Sequence, residues 1–477
     1  MTQEPFYITT SIFYANDRPH IGHALESVTA DTIARYQRAR GKDVRFLTGT
    51  DEYGSKVERK ARALGRPLQG YVDEIAAANR RLHAALGAQY DDFVRTTDER
   101  HRSAVQRIFT RLYEQGDIYL DRYAGWYCPH EETFYPESRV APGNLCPECG
   151  RPLEWTFETA YKFRLSKYQP QVEALLTQPG FALPDARRNE ALQFVRQGLE
   201  DIAASRATVK WGIPVPLDPS HTVYVWLDAL TNYINALGFA SDDETAYRQY
   251  WPAALQIVGK DIARFHLVIW PAILLALGAP LPRQVYAHGW INIGGEKISK
   301  SKGNAVDPLA LVDRFGVDAT RYYLLREVPF GLDANYSDEG VVLRINTDLA
   351  NDLGNLLSRT TQLINKCAGG AVPEPGALSD GVLRAAAAEA VAGLEEALDQ
   401  YRLADGLASL WRLVGRANKY IEEQAPWALA KDPTQAGRLA AVLYDLAEAL
   451  RVTAAALVPF LVTTPEQIYE QLGLEPG

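Results

Sequence analysis

Two histidines, His20 and His23, stand three apart in Arg18-Pro19-His20-Ile21-Gly22-His23-Ala24-Leu25-Glu26. Such a pair admits three chemistries: metal ligation, hydrogen-bonded structural histidines, or two contacts to a phosphate. The setting separates them. Phe6 to Ser11 (FYITTS) reads as a strand, and a helix from about Gly22 to Arg40 follows. A strand-to-helix junction offers unsatisfied backbone N–H groups and the positive end of the helix dipole, and Gly22 removes a side chain that would block close approach. Glu26 is the only acid positioned to complete a tight site and reads equally well as a polar neighbour, so a metal would lack ligands. A polyphosphate fits this place better.

A second cluster lies far along the chain. Lys297-Ile298-Ser299-Lys300-Ser301-Lys302-Gly303-Asn304 follows a strand and Gly294-Gly295, and brings three ammonium groups and the hydroxyls of Ser299 and Ser301 into one short segment. Alone it is a solvated basic loop. Paired with the histidines, it suits the β- and γ-phosphates of ATP.

The third cluster is Cys128, Cys146 and Cys149, with Cys146-Pro147-Glu148-Cys149 as a CxxC turn. The spacing suggests a metal rather than disulfides. A structural Zn2+ takes four ligands, and His130 completes the set Cys128, His130, Cys146 and Cys149, with Glu131 or water as the other candidates. Cys367 stands alone and reads as a small buried apolar residue.

These clusters need a frame. Val44 to Thr48 is a second strand, so the first half opens on a βαβ unit, and Leu255 to Gly259, a helix from about Ile262 to Leu277, and Gln284 to Ile293 repeat the alternation. The fold class is α/β: a doubly wound Rossmann-type parallel sheet, with ligands at the carboxyl ends of its strands. An insertion from about Ile118 to Pro214 carries the cysteines and reads as a small separate lobe. After about Tyr336, Leu403, Leu407, Leu410 and Val414, then Leu439, Leu443, Leu446 and Leu450, follow helical spacing, which predicts an all-α bundle with a loop over Ala368 to Gly381. The expected domains are 1–117 and 215–335 as the two halves of the sheet, 118–214 as the inserted lobe, and 336–477 as the bundle.

Composition bounds the partners. The 477 residues are 47% hydrophobic and 23% charged with a net charge of -9, an ordinary globular balance that provides no global basic field for coating DNA. Any nucleic acid must be met by a local patch or by stacking. No stretch reaches the ~18 consecutive apolar residues of a membrane helix, and the start, MTQEPFYITTSIFY, lacks the basic and apolar regions of a secretory signal. The expected compartment is the cytoplasm.

HIGH (His20 to His23) followed by KISKS (Lys297 to Ser301) resembles the signature pair of class I aminoacyl-tRNA synthetases, whose second element is KMSKS, here with Ile298 for Met. YANDRPHIGHALE, FLTGTDEYGSKVE, YVWLDALTNYI, GKDIARFHLVIWPA, DLGNLLSR and EEQAPW extend the resemblance to the methionyl-tRNA synthetases along nearly the whole chain. That resemblance implies activation of L-methionine by ATP with Mg2+, then transfer to tRNA(Met). It puts Ile12, Tyr14, Trp226, Ala229, Leu230, Tyr233 and His266 around the methionine side chain and Asp51 against its α-ammonium. Apolar and aromatic walls suit a thioether, although core packing explains the spacing of Trp226 and Tyr233 equally well. Gly259 and Asp261 would hold adenosine, His20 and His23 the reacting phosphate, and Lys297 and Lys300 the leaving pyrophosphate. In the bundle, Asn355, Arg359 and Trp427 would read the CAU anticodon while the acceptor end reaches the sheet.

The insertion is too small for a hydrolytic editing domain, which favours methionine or cysteine over isoleucine, leucine or valine, residues a binding pocket separates by only ~1–3 kcal/mol per methylene, and the first strand and HIGH loop carry none of the zinc ligands expected for a cysteine site. Longer relatives carry a C-terminal RNA-binding and dimerisation domain with no counterpart after Leu474, so a monomer is expected. Three departures stand out: Tyr53 replaces the His of DEHG, Glu131 a ligand cysteine, and Phe13 sits at a variable position. They leave one alternative, a repurposed or inhibitor-insensitive paralog, and the HxGH loop by itself leaves another, a nucleotidyltransferase acting on a small molecule.

Overall fold

The computed structural model describes residues 3–131, 133–135, 137–297, 306–329, 331–374 and 378–475. The chain divides into two compact units, one of residues 1–19, 41–82 and 89–288, the other of 20–40, 83–88 and 289–477.

The first unit is built on a six-stranded sheet. Its strands β1 (Pro5–Tyr14), β2 (Asp43–Asp51) and β3 (Asp92–Arg95) run parallel with β1 innermost. On the other side of β1 lie Ala254–Gly259, Gln284–His288 and Ala182–Leu183, also parallel. β-branched and aromatic residues fill β1, and its middle is buried on both faces, as a central parallel strand requires. Connections leave β1 in one direction and Ala254–Gly259 in the other, so a crevice opens between their carboxyl ends.

Within the insertion, Ile118–Cys128 and Glu154–Phe163 form a long antiparallel pair flanked by Thr133–Tyr135 and Ile202–Ala203. The insertion does not stay apart from the main sheet, because Ala182–Leu183 pairs with Val285–Tyr286 as its edge strand. A two-residue strand leaves no periodicity to read in advance.

The second unit contains the helix α1 (Ile21–Ala39), which begins at the histidines. Its Asp31 pairs with the fully buried Arg321 at 2.7 Å, and Arg321 also donates to the carbonyls of Leu86 and Phe460. A buried guanidinium with this many acceptors fixes the elements around it, and removing either partner would strand a charge. Tyr36 donates to Asp399 at 3.0 Å, which ties α1 to the helix Val382–Asp399. The remaining bundle helices include Asn355–Cys367, Leu403–Gln424 and Ala436–Leu457, whose apolar stripes meet in the core.

Two expectations are corrected. The run Gln284 to Ile293 is not one strand: Gln284–His288 ends, and Ile291–Ile293 pairs instead with Ala334–Tyr336. At the break, a Cβ on Gly289 would lie 1.9 Å from the carbonyl oxygen of Leu332, so only glycine lets the backbones approach. Cys367 is half-buried rather than buried, because it occupies the last turn of its helix. Among the described residues no helix is long and apolar enough to cross a membrane.

Candidate functional site

In the second unit, the two histidines cap their own helix. His20 is the N-cap of α1, and its Nδ1 accepts from the Gly22 N–H at 3.1 Å, while the His20 N–H donates to His23 Nδ1 at 3.0 Å. This is a capping box built from imidazoles in place of Ser and Glu. The rings stack with centroids 4.0 Å apart. Because both Nδ1 atoms accept from backbone N–H groups, the neutral rings carry their protons on Nε2, which makes each ring a donor on its outer edge. Two donors at a helix N-terminus suit a phosphate. Gly22 has a second reason to be glycine: a Cβ there would lie 2.9 Å from the His20 ring. Glu26 is buried one turn further on.

Lys297 ends a short strand whose backbone pairs with Asn292, across a turn in which Gly294 and Gly295 have φ of 60° and 81°. Both positions need positive φ, which is why a Gly-Gly pair closes this hairpin. Ser299, Lys300 and Ser301 lie outside the described residues.

In the first unit, Ile12, Tyr14 and Asp51 gather at the carboxyl ends of β1 and β2, where Ile12 is in register with Gly49 and Tyr14 with Asp51. The Ala15 N–H donates to the Asp51 carbonyl at 2.7 Å, and the Asp51 side chain is buried. Gly259 ends the next strand, and a Cβ there would lie 2.6 Å from Asp261 Oδ1, so the glycine lets that carboxylate fold in over the strand end.

Trp226, Ala229, Leu230 and Tyr233 lie on the helix Val225–Asn235. Ile12 packs against the same core cluster as Leu230 and Tyr233. Trp226 stacks on Phe265 with ring centroids 3.5 Å apart and planes 11° from parallel. Phe265 opens a stretch of π-helix, Phe265–Ile269, a distortion that helices commonly carry at functional positions. His266 in this stretch is buried, and its ring meets the Ile262 carbonyl through Nδ1 at 3.0 Å and the Tyr233 hydroxyl through Nε2 at 2.7 Å. A carbonyl can only accept, so His266 holds its proton on Nδ1 and Nε2 accepts from Tyr233.

Burial lowers the His266 pKa to about 4 despite the Ile262 carbonyl, so the ring is neutral at pH 7. Unfolded His266 takes up a proton near pH 6.5 and the folded form only near 4, so the unfolded chain binds more protons between the two. The stabilisation is full above pH 6.5 and declines as pH falls, by about 3 kcal/mol at pH 4. Urea midpoints at pH 7 and pH 5 are expected to differ less in His266→Asn than in the parent; equal differences would contradict this.

One feature escaped the sequence reading. Asp228, in the same helix as Trp226, accepts from His101 Nε2 at 2.7 Å, with both residues almost fully buried. Its signal is a lone acid in an apolar helix. Tyr53, at the DEHG position, is buried edge-on against Trp211 at 5.3 Å, and the Trp211 indole donates to the Glu52 carbonyl at 2.7 Å. That departure is filled by packing.

The cysteines converge as a ligand set should. Cys128, Cys146 and Cys149 place their sulfurs within 4.8 Å of one another, and Cys128 and Cys149 are 3.6 Å apart. A tetrahedral centre with zinc–sulfur bonds of about 2.3 Å sets sulfur–sulfur distances near ~3.8 Å, so the three sulfurs fit, whereas the expected fourth ligand, His130, does not fall in their group. His130, Glu131 and Cys149 form an overlapping group of the same span, and His130 Nδ1 lies 2.7 Å from Glu131 Oε1. Burial raises the Cys146 thiol, but the N–H groups of Cys149 and Glu148 and the Tyr135 hydroxyl outweigh it and hold the thiol below its ordinary value.

In the bundle, Asn355 and Arg359 share the helix Asn355–Cys367, and Arg359 pairs with Glu422 near the end of Leu403–Gln424. Ala425 then takes a left-handed turn, and Trp427 stands on the following short helix with 45% of its surface exposed.

Known proteins resemble this chain along nearly its whole length. A family model described as tRNA synthetases class I (M) matches residues 6–361. The methionine–tRNA ligase of Caldanaerobacter subterraneus subsp. tengcongensis is 50% identical over 475 residues, covering 99% of this chain and 74% of the relative. That of Bacillus subtilis is 48% identical, covering 98% of this chain and 73% of its own. The crystal structure of Mycobacterium tuberculosis methionyl-tRNA synthetase bound by methionyl-adenylate superposes with a TM-score of 0.95 at 44% identity, covering 99% of this chain and 95% of that one. A parallel sheet with apolar and charged side chains at its strand ends, imidazole donors heading a helix, and close relatives spanning bundle and sheet alike have one common explanation: this chain belongs to the methionyl-tRNA synthetases of class I.

Proposed function

We propose that the protein joins L-methionine to ATP, giving methionyl-adenylate and pyrophosphate, and transfers the methionyl group to tRNA(Met). The observation that carries this reading is the 50% identity to a methionine–tRNA ligase across 99% of the chain. The substrate carboxylate attacks the α-phosphate, so no protein nucleophile is needed, and the enzyme works by positioning and charge.

In this reading, Asp51 pairs with the α-ammonium, and Ile12, Tyr14, Trp226, Ala229, Leu230, Tyr233 and neutral His266 surround the thioether. A neutral ring is consistent with an apolar side chain as its neighbour, since a charged one would have to be desolvated. Gly259 and Asp261 hold adenosine, His20 and His23 donate to the reacting phosphate with Gly22 and Glu26 beside them, and Lys297, Ser299, Lys300 and Ser301 receive the pyrophosphate. Mg2+ accompanies ATP as counter-charge to its phosphates.

Cys128, Cys146 and Cys149 with His130 would hold one structural Zn2+, which supplies cross-linking of the knuckle and no step of the reaction. Elemental analysis of protein purified without chelator is expected to return one zinc per chain. A metal-free protein with unchanged thermal midpoint would contradict the assignment.

Trp427, exposed beside Arg359 and Asn355, stacks on a base of the CAU anticodon. Stacking is worth ~1–3 kcal/mol per base, so Trp427→Ala is expected to raise the KM for tRNA by about 5- to 150-fold while leaving adenylate formation unchanged. An unaltered tRNA KM would contradict it. The reading places the protein in the cytoplasm as a monomer, and cysteines that form no disulfide fit a reducing compartment.

A further inference from the structure

Arg264 lies between the knuckle and the aromatic wall. Its guanidinium meets Glu148 Oε1 at 3.0 Å, in the turn between Cys146 and Cys149. It also lies 4.8 Å from the centre of the Phe194 ring and 5.9 Å from that of Phe265. Phe194 has a second cation, Arg139, at 4.5 Å. Phe265 in turn stacks on Trp226. Contacts therefore run without a break from the cysteine turn, through Arg264, to the ring pair.

That pair is not enclosed by packing. A cavity of about 470 Å³ lies beside it, lined among others by Tyr135, Phe194, Trp226, Arg264 and Phe265. Rings bordering open volume lose the contacts that hold a core side chain in one place. Something else must fix them, and a planar guanidinium held by a carboxylate is rigid enough to do so.

We propose that Arg264, anchored by Glu148, is a positioning residue for the methionine site: it keeps the Trp226–Phe265 stack out of the neighbouring cavity and so sets both the affinity for methionine and the length of side chain accepted. The proposal rests on the reading of Trp226 as a wall of that site. The ion pair is half-exposed, with 33% of the Arg264 and 47% of the Glu148 side chain accessible, so it contributes modestly by itself. The cation–ring contacts supply the rest.

The test is steady-state ATP–pyrophosphate exchange with methionine and with its S-ethyl homologue, ethionine. Arg264→Ala is expected to raise the methionine KM about tenfold, with kcat and the KM for ATP little changed, and to shift preference towards ethionine. Glu148→Gln, a surface change that leaves the fold intact, should raise it about threefold, and Arg264→Lys should fall between parent and alanine because it keeps charge without the planar fork. The exchanged pair Glu148→Arg with Arg264→Glu should recover part of the loss. A methionine KM unchanged in both Arg264→Ala and Glu148→Gln overturns the proposal, as does a parallel rise in the KM for ATP, which marks a general structural effect. Failure of the underlying reading looks different: the unsubstituted protein would show no methionine-dependent exchange.

Discussion

Lys300→Ala is expected to slow methionyl-adenylate formation by about 10²- to 10³-fold, the usual cost of removing one preorganised group that meets charge developing in a transition state. The chain has a net charge of -9, so the cations that receive the pyrophosphate must be supplied locally. The segment from Lys297 to Lys302 supplies three within six residues. In the proposed reading His20 and His23 meet the same polyphosphate as hydrogen-bond donors, which do not replace the lost lysine charge. Methionine affinity, measured by equilibrium dialysis, is expected to stay within about twofold, because the lysine acts on the nucleotide end alone. Exchange at the parental rate would remove Lys300 from the mechanism.

Asp51→Asn tests the other end of the reaction. Asp51 is buried where β2 ends, opposite Tyr14. An ammonium group brought there without its carboxylate is left unpaired, a loss of ~2–5 kcal/mol for a buried charge pair. The methionine KM is therefore expected to rise by about 30- to 5,000-fold, with the KM for ATP near its parental value. Equal effects on both substrates would indicate a structural role instead. The two variants separate recognition of the amino acid from handling of the phosphates.

The sequence made the strand ends readable, because apolar runs bounded by glycine and charge announce the parallel sheet. The position of the histidine pair at a helix start was readable. Its capping geometry was not, since the known capping pattern uses hydroxyl and carboxyl groups rather than two imidazoles. The grouping of α1 with the bundle was also hidden. It depends on Asp31 meeting Arg321, and no local pattern reports a pair separated by most of the chain. The same holds for Glu148 with Arg264 and for His101 with Asp228, each a charge that finds its partner only after folding. The run through Gly289 misled for a physical reason: both strands are apolar, and the requirement for glycine comes from the distant Leu332.

Methionine-dependent exchange of labelled pyrophosphate into ATP, with cysteine, leucine and homocysteine as competing amino acids, tests the central claim most directly. The account predicts saturable exchange with methionine, far weaker exchange with each of the others, and subsequent charging of tRNA(Met). No exchange with methionine, or equal exchange with leucine, would contradict it.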